Sequence, residues 1–313
     1  MSRAALVTSA PFHLEATVRI LQRRPGNLVD VWAAGRYLRV LPADGKLVLL
    51  EIANRGTIDS PDVAWSIRKG TPSSGARVTL ERTIRKVLGL DIDPEPARRL
   101  VERERRARST ARGLRGMRPP RFADLFEAFA NVVPFQQLSL DAGVAIVSRL
   151  VERYGKRLRH QGRSFHAFPT AHAIAETRIQ TLRACGLSLH KAQSLRHVAR
   201  LIASTELTEE ALATMSTHDA IRVLADLPGI GPWSAGLILL RGLGRLDVFP
   251  SGDVGAARGL RALLQVRADA QVRRIIERLG DRRGYLYFCA LGGNLLGRGL
   301  IHPAPPSLPD EVK

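Results

Sequence analysis

Cysteine is scarce in this chain of 313 residues, which contains only Cys185 and Cys289. The two are far apart in the sequence, and each lies in an apolar segment of helical pattern. A disulfide framework, a zinc site or an iron–sulfur cluster with four cysteine ligands would need more cysteines at closer spacing. We therefore expect no iron–sulfur cluster and no catalytic metal.

Long apolar segments are missing as well. No run in the chain approaches the length of about 20 residues that a membrane-spanning helix needs. The N-terminal segment lacks an apolar core long enough for a signal peptide. We therefore expect a soluble, intracellular protein of the cytoplasm, associated with the nucleoid and without a membrane partner.

Acidic residues are in the minority, since 29 Asp and Glu stand against 48 Lys and Arg, a net charge of +19. Such an excess favours a polyanionic partner, and nucleic acid is the leading candidate. The densest arginine run lies between Arg98 and Arg121, and the acidic residues in its first half are typical of a solvated helix face. Charge alone is weak evidence, so specific motifs must decide the partner.

The hydrophobic pattern divides the chain into two parts. Residues 12–19, 28–32 and 46–52 show strand-like patterns, and two helices are predicted over residues 80–88 and 94–107. From residue 122 to 300, apolar residues recur at helical spacing. We predict an α+β protein with a small antiparallel sheet plus helices over residues 1–115. An all-α domain over residues 116–300 and a C-terminal tail over residues 301–313 would follow.

A glycine-rich turn stands in the middle of the helical part. The segment LPGIG, residues 227–231, separates one helical pattern from another that starts near Pro232, so it predicts a tight hairpin between two helices. Glycine permits positive φ and the close approach of another backbone. Free N–H groups at the start of the second helix form a natural phosphate site. Taken alone, this turn is equally typical of a non-catalytic DNA-binding protein.

Two further features accompany the turn. Asp253 follows a proline-containing turn downstream, and the segment FQQLS, residues 135–139, places two glutamines between helices. Together these residues resemble the helix-hairpin-helix superfamily of DNA glycosylases, and in particular the bacterial DNA-3-methyladenine glycosylase II family. The resemblance is carried by residues 136–139, 168–170, 227–233 and Asp253, and it covers the N-terminal part more loosely.

The resemblance implies an enzyme that extrudes a damaged base from duplex DNA and hydrolyses its N-glycosidic bond. It assigns the catalytic carboxylate to Asp253, which would stabilise the positive charge that develops on the sugar and orient water. The structural alternative is that Asp253 only caps a helix. Asp247, just before the turn, could likewise cap a helix or pair with Arg245.

The motif also implies how DNA is held. Phosphate contacts fall to the hairpin, and Gln137 fills the space that the flipped base leaves; the hairpin residues concerned are Leu227, Gly229, Ile230 and Gly231. A monovalent cation at the backbone of Leu227 and Gly229 is part of the same resemblance. The partner is duplex DNA containing damaged bases, bound by a monomer. The alternative is that the two glutamines only cap helix ends.

The predicted base pocket consists of Gln136, Trp233, Leu237 and Tyr285. An alkylated purine carries positive charge, leaves without a general acid and attracts the faces of electron-rich rings. Alkylated purines are therefore the expected substrates. Leu237 and Arg282 stand where characterised family members carry aromatic residues, so a glycosylase for oxidised or deaminated purines is the alternative.

The identity of Trp233 also bears on the reaction. In superfamily members that cleave the DNA strand as well, a lysine occupies this place in the motif, and tryptophan cannot form a Schiff base. No lysine occurs between Lys191 and Lys313. We therefore predict a monofunctional enzyme that leaves an intact strand with an abasic site, and not a glycosylase/lyase.

Overall fold

The computed structural model describes residues 3–250, 252, 254–266 and 269–305. Its N-terminal part contains an antiparallel sheet of five strands: β1 (Arg3–Ala5), β2 (Val31–Ala33), β3 (Arg36–Ala43), β4 (Lys46–Asn54) and β5 (Val63–Lys69). Their order across the sheet is β1-β5-β4-β3-β2. The predicted small antiparallel sheet is thus present.

Two tight turns join β3 to its neighbours, one at each end of the strand. Ala34 and Gly35 join β2 to β3, and Asp44 and Gly45 join β3 to β4. All four residues have positive φ, between 49° and 72°. Two consecutive residues at positive φ form the hairpin turn whose twist matches that of the flanking strands. Strand pairing therefore starts directly beside each turn.

The strand predicted over residues 12–19 is wrong, because this segment lies largely in helix α1 (Leu14–Gln22). His13 caps the start of the helix, since its Nδ1 accepts the backbone N–H of Ala16. Helix α1 contacts both β2 and the last helix of the chain, and most of its side chains are buried. Apolar residues therefore fall at every second position as well as at helical spacing, and such a pattern does not separate the two structures.

Helices make up most of the remaining chain, which confirms the α+β class. They are α2 (Ser74–Val87), α3 (Glu95–Arg103), α4 (Arg108–Gly113), α5 (Leu125–Ala130), α6 (Leu140–Tyr154), α7 (Ala171–Ala175), α8 (Ile179–Arg183), α9 (Leu189–Ala203), α10 (Glu209–Thr214), α11 (Thr217–Ala225), α12 (Pro232–Ile238), α13 (Val254–Leu264), α14 (Asp269–Arg278) and α15 (Tyr285–Gly297). A π-helical turn, Leu239–Leu243, continues α12. Within the described part of the chain, no helix combines the length and apolar character that crossing a membrane requires.

A second sheet interrupts the part predicted to be all helical. It is the hairpin of β6 (Arg157–His160) and β7 (Arg163–His166), which lies between α6 and α7. Leu158 and Phe165 bury their side chains in a small core that they share with the main sheet. Strands of four residues carry too little alternation to predict a sheet, and the basic residues between them conceal the two buried positions.

A buried ion cluster joins the main sheet to helix α5. In β3, Nη1 of Arg39 donates to Oδ1 of Asp30 at 2.6 Å, and Nη2 donates to Glu127 of α5. All three side chains are at most 4% exposed. Burial raises the pKa of Glu127 to about 7, against the opposing charge of Arg39. Removing one partner would leave an uncompensated buried charge, so the cluster ties the sheet to the helical part.

Candidate active site

The glycine-rich turn joins α11 to α12, as predicted. Gly229 has a φ of +79°, and a Cβ atom there would lie 2.8 Å from Oγ of Ser194 in α9. The same hydroxyl donates to the carbonyl of Pro228 at 2.7 Å, so α9 supports the turn. Gly231 has a φ of −87° and no atom close to where its Cβ would be. Of these two glycines, the fold therefore requires only Gly229.

The glutamine loop lies against the hairpin. Nε2 of Gln136 donates to the carbonyl of Gly229 at 2.8 Å and to Oγ of Ser234 at 2.9 Å. Gln137 is exposed and has a φ of +54°, a conformation uncommon for a residue with a Cβ. The backbone thus presents Gln137 to solvent while Gln136 fastens the loop to the turn.

Lys191 lies beside the glutamine loop, although it is distant from that loop in the sequence. Its Nζ donates to the carbonyls of Pro134 and Gln136, at 3.2 and 2.5 Å, and so holds the glutamine loop from α9. Burial lowers the pKa of Lys191. Although Lys191 is remote from the hairpin in sequence, it lines the same cavity as Gly229. The fold therefore brings an amine to the hairpin, although no lysine follows Lys191 in the sequence before Lys313.

Two adjoining cavities lie at the turn. The hairpin cleft, about 990 Å³, is lined by the hairpin, the glutamine loop and the start of α9. The inner cavity, about 440 Å³, is lined mainly by apolar side chains. Residues that border both are Phe135, Leu138, Trp233 and Gly255. A concave, largely apolar recess thus opens beside a turn whose helix start can bind anions.

The inner cavity is lined by aromatic rings and arginines as well as by aliphatic side chains. Phe135, Trp233 and Tyr287 supply its aromatic rings. Arg23 and Arg24 enter it from the segment that follows α1, in the N-terminal part of the chain. No motif pointed to these arginines, because about 200 residues, including four strands of the main sheet, separate them from the hairpin in sequence. Their approach depends on the packing of α1 against α15.

The two arginines differ in their partners. Nε of Arg24 donates to Oδ1 of Asp141 at 2.6 Å, which gives it a carboxylate partner. The guanidinium carbon of Arg23 instead lies 5.0 Å from the ring centre of Phe135 and 6.0 Å from that of Phe122. These distances fall within the range of cation–π contacts.

Known proteins share the sequence features of this site. Residues 131–282 match the model of the HhH-GPD superfamily of base excision DNA repair proteins. That segment includes the hairpin, both glutamines and Asp253. This segment, residues 131–282, is thus similar to the HhH-GPD superfamily.

Individual HhH-GPD relatives agree with this placement. The DNA-3-methyladenine glycosylase of Bacillus subtilis is 29% identical over 64% of this chain and 66% of the relative. A probable bifunctional transcriptional activator/DNA repair enzyme of Mycobacterium tuberculosis is 34% identical over 61% of this chain and 38% of the relative. The chain therefore spans less than two thirds of these relatives.

A solved structure extends the likeness to the N-terminal part. The 3-methyladenine DNA glycosylase from Archaeoglobus fulgidus has a TM-score of 0.74 and 25% identity, and the alignment covers 95% of this chain and 99% of that chain. The sheet and α1 are thus part of the shared architecture, although they lie outside residues 131–282.

Within the HhH-GPD fold, the predicted pocket residues fall in different places. Trp233 and Leu237 line the inner cavity. Gln136 lines the hairpin cleft and is not among the residues of the inner cavity. Tyr285 lines neither cavity, since it is 1% exposed and packs beside Cys289 in the core. Tyr287 takes the position expected of Tyr285.

The prediction that Tyr285 lines the pocket failed for a physical reason. Helix α15 buries side chains on nearly every face, including Tyr285, Tyr287 and Phe288. Without a polar face, the spacing of residues cannot tell which side of the helix meets a cavity. Arg282, the other departure from the family aromatics, lies just before α15 in a 3-10 turn and is exposed.

Asp253 lies outside the described residues. On either side of it in the sequence, Gly252 lines the hairpin cleft and Gly255 lines both cavities. Asp247 is half-buried, and no ion pair within the described ranges joins it to Arg245. The guanidinium of Arg245 instead donates to Thr217 and to backbone carbonyls around the end of α10.

Each of the two carbonyls predicted to bind a monovalent cation already accepts one hydrogen bond. The carbonyl of Leu227 accepts the N–H of Ile230 at 3.0 Å, and that of Gly229 accepts the amide of Gln136. A carbonyl oxygen has two lone pairs, so each can still accept a monovalent cation. These hydrogen bonds are therefore compatible with a cation at the hairpin.

Proposed function

We propose that this protein is a monofunctional DNA glycosylase that flips a damaged purine out of duplex DNA and hydrolyses its N-glycosidic bond. The observation that carries the proposal is the inner cavity, which shares Trp233 and Phe135 with the cleft of an HhH-GPD hairpin. A base cannot react while stacked, so such an enzyme needs a pocket beside the surface that grips the backbone.

The hairpin holds the DNA in this proposal. Backbone N–H groups at the start of α12 contact phosphates without reading sequence. Gln137, exposed at the tip of the glutamine loop, enters the stack where the base has left. A monovalent cation bound to the carbonyls of Leu227 and Gly229 would add positive charge beside the phosphates. A single copy of the chain supplies all of these groups.

Asp253 carries out the chemistry in this proposal. As the bond to the base breaks, positive charge develops on the sugar, and a carboxylate beside it stabilises that charge and orients the attacking water. The proposal is supported by the neighbours of Asp253 in sequence, because Gly252 and Gly255 both line the cavities. A protonated or methylated base needs no acid to leave.

The substrate class comes from the relatives. The proteins from Bacillus subtilis and Archaeoglobus fulgidus are named 3-methyladenine glycosylases, so we assign alkylated purines as substrates here. The monofunctional assignment rests on Trp233, which stands where strand-cleaving members of the superfamily carry a lysine and which cannot form a Schiff base.

A base-release assay tests the proposal. The protein is incubated with duplexes that contain 7-methylguanine, hypoxanthine, 8-oxoguanine or no damage, and free base and alkali-labile sites are measured. We expect release from the alkylated duplex and intact strands before alkali treatment. Duplex binding without release of any base would instead favour a non-catalytic DNA-binding protein.

A further inference from the structure

Arg23 has an unusual environment for a cation. Its Nη2 is buried and has no hydrogen-bond partner, and no ion pair to Arg23 occurs in the described part of the chain. The guanidinium lies over Phe135, at 5.0 Å from the ring centre. Arg23 lines the inner cavity, so a base that enters there meets a guanidinium without a carboxylate partner among the described residues.

A second arginine lies close to Arg23 and is fully buried. Arg241, in the π-helical turn, is fully buried, and its guanidinium carbon lies 4.7 Å from the ring centre of Phe122. Its guanidinium nitrogens have no partner within ordinary hydrogen-bond geometry, although Tyr287 lies near enough to favour the charged form. Burial and the charge of Arg23 lower the pKa of Arg241 to about 9. Two guanidinium groups thus lie within 6.0 Å of the ring centre of Phe122.

The rest of the lining adds to this positive charge. Arg24 and Arg258 also line the inner cavity, and its described lining residues include no carboxylate. Arg24 is balanced by Asp141. Arg23 therefore differs from its neighbour by having a buried, unused donor and no partner for its charge.

The position of Arg23 affects which bases fit. A cationic base is attracted to the face of an aromatic ring, but the guanidinium of Arg23 already occupies a face of Phe135. A second cation nearby would be repelled by it. An uncharged base with a carbonyl oxygen would accept a hydrogen bond from Arg23 instead.

We propose that Arg23 is a specificity-determining residue that contacts the flipped base, donating to a base carbonyl and reducing the advantage of cationic bases. This inference rests on the proposed glycosylase function and concerns the selection among its substrates. Alkylated bases remain substrates, and the residue shifts their ratio to uncharged bases such as deaminated purines. The N-terminal part of the chain thereby contributes to base selection.

Three duplexes separate charge from hydrogen bonding. The base is 7-methylguanine, which is cationic and has a carbonyl, hypoxanthine, which is neutral and has a carbonyl, or ethenoadenine, which is neutral and has none. Single-turnover release is divided by the spontaneous rate for each base, because methylated purines leave faster unaided. The wild type is compared with Arg23→Met, Arg23→Gln and the matched control Arg24→Met.

In Arg23→Met we expect the ratio of 7-methylguanine to hypoxanthine release to rise roughly tenfold, since the repulsion of the cationic base is lost while both bases lose the same donor. Release of ethenoadenine relative to hypoxanthine should rise as well, because only hypoxanthine loses a hydrogen bond. Arg23→Gln removes the charge and keeps an amide donor, so it should improve 7-methylguanine and spare hypoxanthine. Arg24→Met should change these ratios by less than about threefold, because Asp141 already balances that arginine.

Melting temperature and affinity for undamaged duplex show whether each variant is folded. If Arg23→Met is unfolded, the ratios of Arg23→Gln decide. Folded Arg23 variants with ratios within about threefold of the wild type would overturn the inference and leave the glycosylase function standing. Release of no base by the wild type would overturn the proposed function, and the inference with it.

Discussion

The hairpin cleft and the inner cavity share four lining residues, but different structural features form them. The cleft depends on backbone geometry within short segments, namely the turn at Gly229 and the loop at Gln136. The inner cavity depends on side chains from α1, the glutamine loop, α12, α13 and α15. The first suits a partner with a repeated backbone, and the second suits one particular base.

The comparison implies that changes in the two regions have separable effects. Changes in the cleft should alter binding to every duplex, and changes around the inner cavity should alter base release. A variant that breaks this separation would show that the two regions act as one site.

The largest expected effect is that of Asp253→Asn. Removing the carboxylate should slow base release by about 1000-fold, because its charge acts on the transition state. Affinity for undamaged duplex should stay within about threefold of the wild type, since the hairpin is unchanged. Single-turnover release and a binding titration measure the two effects. Activity near that of the wild type would refute the catalytic assignment.

Gly229→Ala should have the next largest effect, now on binding. Its Cβ would meet Oγ of Ser194 at a positive φ, at a cost of about 1–3 kcal/mol in folding stability. We expect affinity to fall by about tenfold for damaged and undamaged duplexes alike, because the turn contacts only backbone. Gly231→Ala, with open space and ordinary φ, is the matched control and should keep the melting temperature. A loss confined to one damaged duplex would contradict this assignment.

A pair of tyrosine variants tests the boundary of the inner cavity. Tyr287→Leu should slow base release by about tenfold, since it removes an aromatic ring from the lining. Tyr285→Leu should instead destabilise the fold by about 2–4 kcal/mol and leave the release rate of the folded protein nearly unchanged. Melting curves and single-turnover rates distinguish the two. Equal effects on release would place both tyrosines at the base.

The smallest expected signal is that of covalent trapping. Borohydride added during base release should trap no protein–DNA adduct, and strand breaks should appear only after alkali or heat. Lys191 makes this a stringent test, because its amine lines the hairpin cleft. An adduct that forms at the rate of base release, and is lost in Lys191→Met, would make the enzyme a lyase.

The sequence by itself was sufficient wherever the determinants lie close together in the chain. The helix–turn–helix at LPGIG and the α+β class both follow from local backbone preferences and hydrophobic period. The family could be predicted for the same reason, since its motifs are short contiguous segments.

Tertiary structure decided the rest, for reasons seen in particular residues. Helix α1 was mistaken for a strand and Tyr285 for Tyr287, because elements buried on most sides have no polar face to orient them. Arg23 and Lys191 reach the site across long stretches of sequence, so no local pattern could indicate their proximity. Sequence specified the segments and the motif that grips DNA, whereas packing of α1 against α15 decided which side chains surround the inner cavity.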